Sequence, residues 1–363
     1  MSTLAISWTW FDSHILPWVV FNIFVVIMLV LDLKVFHRHA HEIRMREAIG
    51  WSIFWIALAL AFVIPLYFLY EHYHVAEKAA AAMLEGKKEV QLQIGELTGK
   101  QAVLLYLTGY IVEKSLSVDN LFVFLMLFTY FAVKPVFQHR VLFWGILGAI
   151  LMRAAFILAG VALIHRFQWV LFIFGAFLIV TGVKMAFKSE EEIHPEKNIV
   201  LRLCKRFLRT TPQYDGGKFF TRIDGRLLAT PMFIVLIVVE TTDVVFATDS
   251  IPAILGITTD PFIVYSSNIF AILGLRALFF ALARLLEIFH LLHYGLAAIL
   301  VFIGIKMLLE AGHHYPEWNL PSYDVPTGAA LGVIGVLLTL SVAASLMFPQ
   351  KKKAIVPEGG EHR

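Results

Sequence analysis

Nine apolar runs of about 20 residues, divided by polar stretches, set the pattern of this chain: roughly 15–33, 50–70, 102–131, 140–164, 167–187, 231–256, 262–284, 293–310 and 327–348. A helix needs about 20 apolar residues to cross the hydrocarbon core of a bilayer. Backbone polar groups there must also be satisfied within the segment. The pattern therefore predicts an all-α polytopic membrane protein with about nine transmembrane helices. Basic residues cluster in alternate connections: Lys34, Arg38, Arg44 and Arg46 after the first run, Lys134 and Arg140 after the third, and nine Lys or Arg within 188–228. Arg284 closes the seventh run, and Lys351, Lys352 and Lys353 follow the ninth. With nine spans these segments share one side, which the positive-inside rule makes cytoplasmic. That leaves the N-terminus outside and the C-terminus in the cytoplasm. The outer stretch 71–101, with Lys78, Lys87, Lys88 and Lys100, is polar, helix-favouring and compatible with a short external helix.

Composition agrees. A mean hydropathy of +0.76, with 59% hydrophobic and 16% charged residues, excludes a soluble domain. The one cysteine, Cys204, sits beside Lys205 and Arg206, so neither an intrachain disulfide nor a thiolate metal cluster is expected. The first apolar run lacks a preceding Lys or Arg and continues into Asp32 and Lys34, which reads as a retained helix rather than a cleaved signal.

An internal repeat runs through the middle of the chain. Gly148–Gly160, centred on Arg153, resembles Ala271–Ala283, centred on Arg276. Gly175 to Lys184-Met185 likewise resembles Ala297 to Lys306-Met307, each ending in Gly-x-Lys-Met. The Arg-to-Lys spacing is 31 residues in one copy and 30 in the other. Each copy thus offers an acidic helix, a helix with a central Arg, and a helix ending in Lys-Met. Three spans per copy is an odd number, so a 3+3 inverted repeat is expected, with a site at the bilayer midplane where the copies meet. The organisation follows as 1–100 (two helices and the external loop), 101–187 (repeat one), 188–228 (cytoplasmic linker), 229–311 (repeat two) and 312–363 (last helix and basic tail).

The acidic helices carry the candidate chemistry. A carboxylate in hydrocarbon costs about 2.5–3.5 kcal/mol on insertion scales, so an acid placed there usually has a task. At 100° per residue, Glu113, Ser117 and Asn120 share a stripe, with Asp119 about 120° away; Asp243, Ala247, Ser250 and Asp249 repeat that arrangement. Two half-sites would supply Glu113, Asp119, Asn120, Asp243, Asp249 and Ser250 to one volume. All these ligands are oxygen, and the histidines all lie in loops or near span ends, so Mn2+, Ca2+ or Mg2+ fits better than Zn2+ or Cu+. Pro252 is expected to kink or break its helix beside Asp249, freeing a carbonyl for an ion or for neighbouring Ser and Thr. Lys114, Arg153 and Arg276 are the charge-compensating cations; Lys114 has the further option of displacing the ion in one state. Lys184 and Lys306 are expected to snorkel. Asp32 is a candidate gate acid or an interfacial residue, while Asn22 and Asn268 either reach the site or bond across helices.

The runs Glu113-Lys-Ser-Leu-Ser-Val-Asp119-Asn120 and Asp243-Val-Val-Phe-Ala-Thr-Asp249-Ser250-Ile-Pro-Ala resemble the signature motifs of the TerC family, and most of all its Alx-type branch. The likeness extends from about Asp32 to Glu310 and includes Phe174-Gly175-Ala176 and Thr259 to Val264. The resemblance implies a multi-pass bacterial inner-membrane protein that exports Mn2+ and protects against manganese overload. Carried onto this chain, the family's acidic positions are Glu113, Asp119, Glu240, Asp243 and Asp249, with Asn120 beside them. Thr241-Thr242 departs from a Leu-Ser-like pair and touches only local packing.

The expectation is a secondary transporter, not an enzyme, that exports Mn2+ by alternating access in exchange for protons, with Ca2+ and Mg2+ left open as cargo. Its partners would be the bilayer, the divalent cation and protons, with no nucleic acid; the oligomeric state is open. Two rivals stand beside it: a non-transporting assembly factor with a structural divalent-ion site, and a metal-dependent membrane enzyme, for which the interior offers no nucleophile or His base.

Overall fold

The computed structural model describes residues 15–36, 45–83, 97–187, 209–282, 291–313, 315, 323 and 325–348. Among them are eleven helices and one hairpin: α1 (Leu16–Phe36), α2 (Met45–Ala61), α3 (Val63–Met83), α4 (Gly99–Tyr130), α5 (Pro135–Arg166), α6 (Val170–Phe187), β1 (Phe220–Ile223), β2 (Arg226–Ala229), α7 (Pro231–Leu255), α8 (Pro261–Leu273), α9 (Leu275–Leu282), α10 (Leu292–His313) and α11 (Thr327–Met347). Each of the nine apolar runs falls on helix. Seven helical stretches are long and apolar enough to cross a membrane among the described residues. The other two runs fall on α1, whose apolar part is shorter, and on α4, which carries Glu113, Lys114 and Asp119.

Local chemistry sets the helix ends. Thr98 caps α4 in a reciprocal box with Gln101, and Glu71 accepts a hydrogen bond from the Gly99 amide at 3.0 Å. Helices α5, α7 and α8 begin with Pro, whose missing N–H costs nothing in the first turn. Asp260 caps α8 by accepting from the Phe262 and Ile263 amides at 3.0 and 2.9 Å, and Tyr70 donates to the same oxygen at 2.8 Å. In the hairpin, Asp224 and Gly225 have φ of 51° and 74°, the left-handed values that a tight two-residue turn demands.

Two expectations change. Helix α7 runs unbroken past Asp249 to Leu255, because Pro252 falls in its last turn, where the helix is about to end anyway. The 262–284 run is two helices, because α8 stops at Leu273 and the chain turns at Gly274. Of the outer stretch 71–101, residues 71–83 continue α3 to Met83, and 84–96 lie outside the described residues. The linker is structured from residue 209 on, where Thr211 and Ala229 extend the β1–β2 pairing.

Packing relates the two copies of the repeat. Helix α4 of the first lies on α8 of the second, and α5 on α7; α4 also meets α7, and α6 meets α10. Small residues permit the last contact: a Cβ on Gly175 would lie 2.9 Å from the Gly304 carbonyl, and one on Gly182 would lie 2.7 Å from the Ala297 carbonyl. The two helices therefore run antiparallel. Since Gly175 corresponds to Ala297 and Gly182 to Gly304, each contact is the other with the copies exchanged. Helix α8 is the central element, buried at every residue from Phe262 to Leu273, including Ser266, Ser267 and Asn268. Large apolar side chains such as Ile53, Phe68, Leu151, Val180 and Leu340 face outward, as hydrocarbon allows.

Candidate cation site between the repeats

The two helices richest in interior acids meet across α5. Arg153, 1% exposed, forms an ion pair through Nη1 with Glu113 of α4. It also grips Asp243 of α7 with two bonds, Nη2 to Oδ1 at 3.2 Å and Nε to Oδ2 at 3.4 Å. A fourth contact runs from Nη1 to the Asn268 side-chain oxygen at 3.2 Å. Asn268 is itself oriented by donating to the Val264 carbonyl at 3.0 Å. Glu113 and Asp243 occupy the same position in the two copies, and they converge on one guanidinium. Ser117, one turn along from Glu113, donates to it at 3.5 Å.

Two carboxyl groups share one guanidinium, and Glu113 Oε2 is buried with no hydrogen-bond partner among the described residues. An orphaned carboxylate oxygen in a fully buried position is costly unless a proton or cation occupies it. The donor set, two carboxylates with neutral oxygens from Asn268 and Ser117, suits a hard cation.

The other candidates are distributed around this centre. Asp249 is half-buried and turns toward α6, where the Thr181 hydroxyl donates to it at 3.4 Å. Glu240 packs against Gly148 of α5, a site where any Cβ would strike the carboxylate, and its Oε2 is buried without a partner among the described residues. Ser250 presents a buried hydroxyl in the same condition, and Asn120 is buried at 4%. Asp119 is helical, and its side chain lies outside the described residues. Among the described residues no three His, Cys, Asp or Glu side chains gather into a metal-holding group.

The remaining cations have separate employments. Lys114 donates to the Ala271 carbonyl at 3.1 Å, and Lys306 to the Gly256 carbonyl at 3.0 Å. Both carbonyls lie at a helix C-terminus, where orphan acceptors and the helix dipole attract positive charge. Lys306 is buried at 6% and pairs with Glu310 at 2.5 Å, so it does not snorkel; the i,i+4 spacing of the two was the sequence signal for this. Lys184 is exposed. Arg276 pairs with Asp32 of α1 and donates to its backbone carbonyl at 3.3 Å. Asn22 bonds across helices by accepting from the Tyr265 hydroxyl at 2.8 Å, whereas Asn268 reaches the centre.

Comparison with known proteins bears on this arrangement. Residues 98–353 match the family model described as integral membrane protein TerC family. A protein of Salmonella typhi that carries the provisional name membrane-bound redox modulator Alx is 46% identical over 328 residues, 90% of this chain and 92% of that protein. Its namesake in Escherichia coli K12 is 45% identical over 327 residues, 90% and 92% of the two chains. An uncharacterized membrane protein of Myxococcus xanthus is 44% identical over 330 residues, 91% and 92% of the two. No solved structure matches the chain.

Proposed function

The chain belongs to the TerC family of integral membrane proteins, and from that premise together with the shared guanidinium we propose that it is a secondary transporter exporting Mn2+ in exchange for protons. The observation that carries the reading is the meeting of Glu113 and Asp243, equivalent positions of two copies, at one buried cation with a carboxylate oxygen left over. In the described state Arg153 stands where a divalent ion would, as a cation tethered to the protein. Withdrawal of the guanidinium exposes two carboxylates to an incoming ion, and its return expels that ion. Protons then neutralise the acids outside the Arg153 cluster, Glu240 and Asp249. The exchange-symmetric packing of α4, α5 and α6 on α7, α8 and α10 supports an inverted repeat and hence alternating access. Mn2+ is favoured over Ca2+ and Mg2+ by the family resemblance alone.

The test is flux. Proteoliposomes holding the purified protein should move Mn2+ when a pH gradient is imposed, and Asp243→Asn or Glu113→Gln should abolish that movement while leaving a folded, monodisperse protein. Flux that survives both substitutions together ends the proposal.

The same cluster gives a second reading its footing. Arg153 bonds both acids and Asn268, as a purely structural pair would, so the protein would be a membrane assembly factor without cargo. In that case Mn2+ flux is absent from wild type as well. The relatives' name, redox modulator, finds a single thiol here, Cys204, and one thiol closes no disulfide within this sequence.

A further inference from the structure

The hairpin that joins the two copies exposes an unusual surface for a loop. Phe220, Ile223 and Leu227 are 43%, 42% and 60% exposed, and Tyr214 beside them is 39% exposed. Arg209, Arg222 and Arg226 are exposed among them. Lys218 is tied to Asp215 at 3.0 Å, which leaves Asp224 as the other acid of this segment. Strand pairing sets Arg222 opposite Leu227 and Ile223 opposite Arg226, so each face of the ribbon carries one arginine and at least one large apolar side chain.

This ribbon is fixed to the ends of α4, α5 and α7. Tyr214 donates to the Phe131 carbonyl at the end of α4 at 2.6 Å, and Arg140 of α5 donates to the Gly217 carbonyl at 2.7 Å. Thr230, the one residue between β2 and α7, donates to the Lys218 carbonyl at 2.6 Å, and the Phe220 ring lies 4.5 Å from that of Phe233 in the first turn of α7. Four-residue strands span only about 13 Å at 3.3 Å per residue. The headgroup layer is about 5–7 Å deep on each side of the hydrocarbon. Arginines beside exposed apolar side chains match a surface with anionic headgroups over hydrocarbon.

We infer that the β1–β2 hairpin is a lipid-docking element, which lies edge-on at the headgroup–acyl boundary so that Leu227 of one face and Ile223 of the other both reach it, and which pairs Arg222 and Arg226 with anionic phospholipid. The leaflet is the one at the α4–α5 turn, cytoplasmic by the distribution of basic residues. This inference does not depend on what the protein carries.

Spin labels test it. On a Cys204→Ser background, Ile223→Cys, Leu227→Cys and, as an aqueous reference, the exposed position Gln213→Cys are each labelled with a nitroxide. The full chain is then reconstituted into liposomes of phosphatidylglycerol or of phosphatidylcholine. Collision with oxygen, which partitions into lipid, is compared with collision with a water-soluble nickel chelate. In phosphatidylglycerol the labels at 223 and 227 should favour oxygen, and the one at 213 nickel. Each arginine at an anionic surface shifts partitioning about fivefold, so Arg222→Gln with Arg226→Gln should shift it roughly 25-fold toward water. Ratios at 223 and 227 equal to that at 213, or unchanged between the two lipids, overturn the inference. Should the double variant fail to fold, the comparison of lipids with both arginines intact decides alone.

Discussion

Arg153 and Arg276 hold the same place in the two copies of the repeat, yet they answer to different helices. Helix α5 is continuous for 32 residues, and Arg153 projects from its interior into the meeting point of α4, α7 and α8. Helix α8 ends at Leu273, and Arg276 comes two residues after the turn at Gly274, on the short helix α9. That turn carries its guanidinium to Asp32 on α1, a helix outside the repeat. One arginine binds the copies to each other; the other binds the second copy to its surroundings. Sequence equivalence fixed what each residue is, while the helix break and the presence of α1 decided what each one touches.

Deleting each arginine is the strongest way to break this comparison. Arg153→Ala strands two buried carboxylates, and the loss of a buried ion-pair partner costs about 3–5 kcal/mol. Arg276→Ala strands one, so its cost should be the smaller of the two. Denaturation midpoints in one detergent compare them, and adding Glu113→Gln with Asp243→Asn to Arg153→Ala should restore most of the loss. Equal losses without that rescue would mean that Arg153 serves no shared centre.

Next in size is the seam between α6 and α10. Gly304→Ala places a Cβ 2.7 Å from the Gly175 carbonyl, a backbone atom that gives way only if the helices part. A cost of about 1–3 kcal/mol is expected from such overpacking. Gly148→Ala strikes the Glu240 carboxylate instead, the end of a flexible side chain, and should cost less stability while displacing that acid. Thermal unfolding separates the two, and a larger loss for Gly148→Ala would contradict the difference in their neighbours.

The sequence made this much visible because hydrophobic runs report spans directly, and because paired Arg and Gly-x-Lys-Met positions survive in both copies. It also placed Glu113 and Asp243 on equivalent stripes. It was silent on which cation meets which acid. Helical angles give a side chain's bearing about its own axis, not the rotation of that helix against its neighbours, so Asp249 turning to Thr181 and Lys114 reaching the Ala271 carbonyl were beyond it. The break at Gly274 was hidden because Leu273-Gly274-Leu275 interrupts no apolar pattern. Asp224-Gly225, by contrast, is a readable signal for the tight turn between β1 and β2.

The smallest expected effect concerns the link between the copies, at Asp215. The Thr221 hydroxyl donates to its Oδ2 at 2.8 Å and the Lys218 ammonium at 3.0 Å, and these bonds hold the carboxyl below its ordinary value of 3.8. A depressed folded value stabilises the loop fully above the unfolded one and loses that contribution as pH falls below 3.8 toward the folded value. Lowering the pH from 7 to 5 should therefore leave the loop unchanged, and acidification below about 4 should loosen it. The Lys218 amide, which donates to the Asp215 carbonyl at 3.1 Å, reports this by hydrogen exchange corrected for the intrinsic rate at each pH. In Asp215→Asn the side-chain oxygen remains an acceptor but the titration is gone, so protection at Lys218 should be weaker at neutral pH and lack the acid step. An identical acid step in the variant would assign it to the acids of the membrane interior, and the link would then share the fate of the centre that it joins.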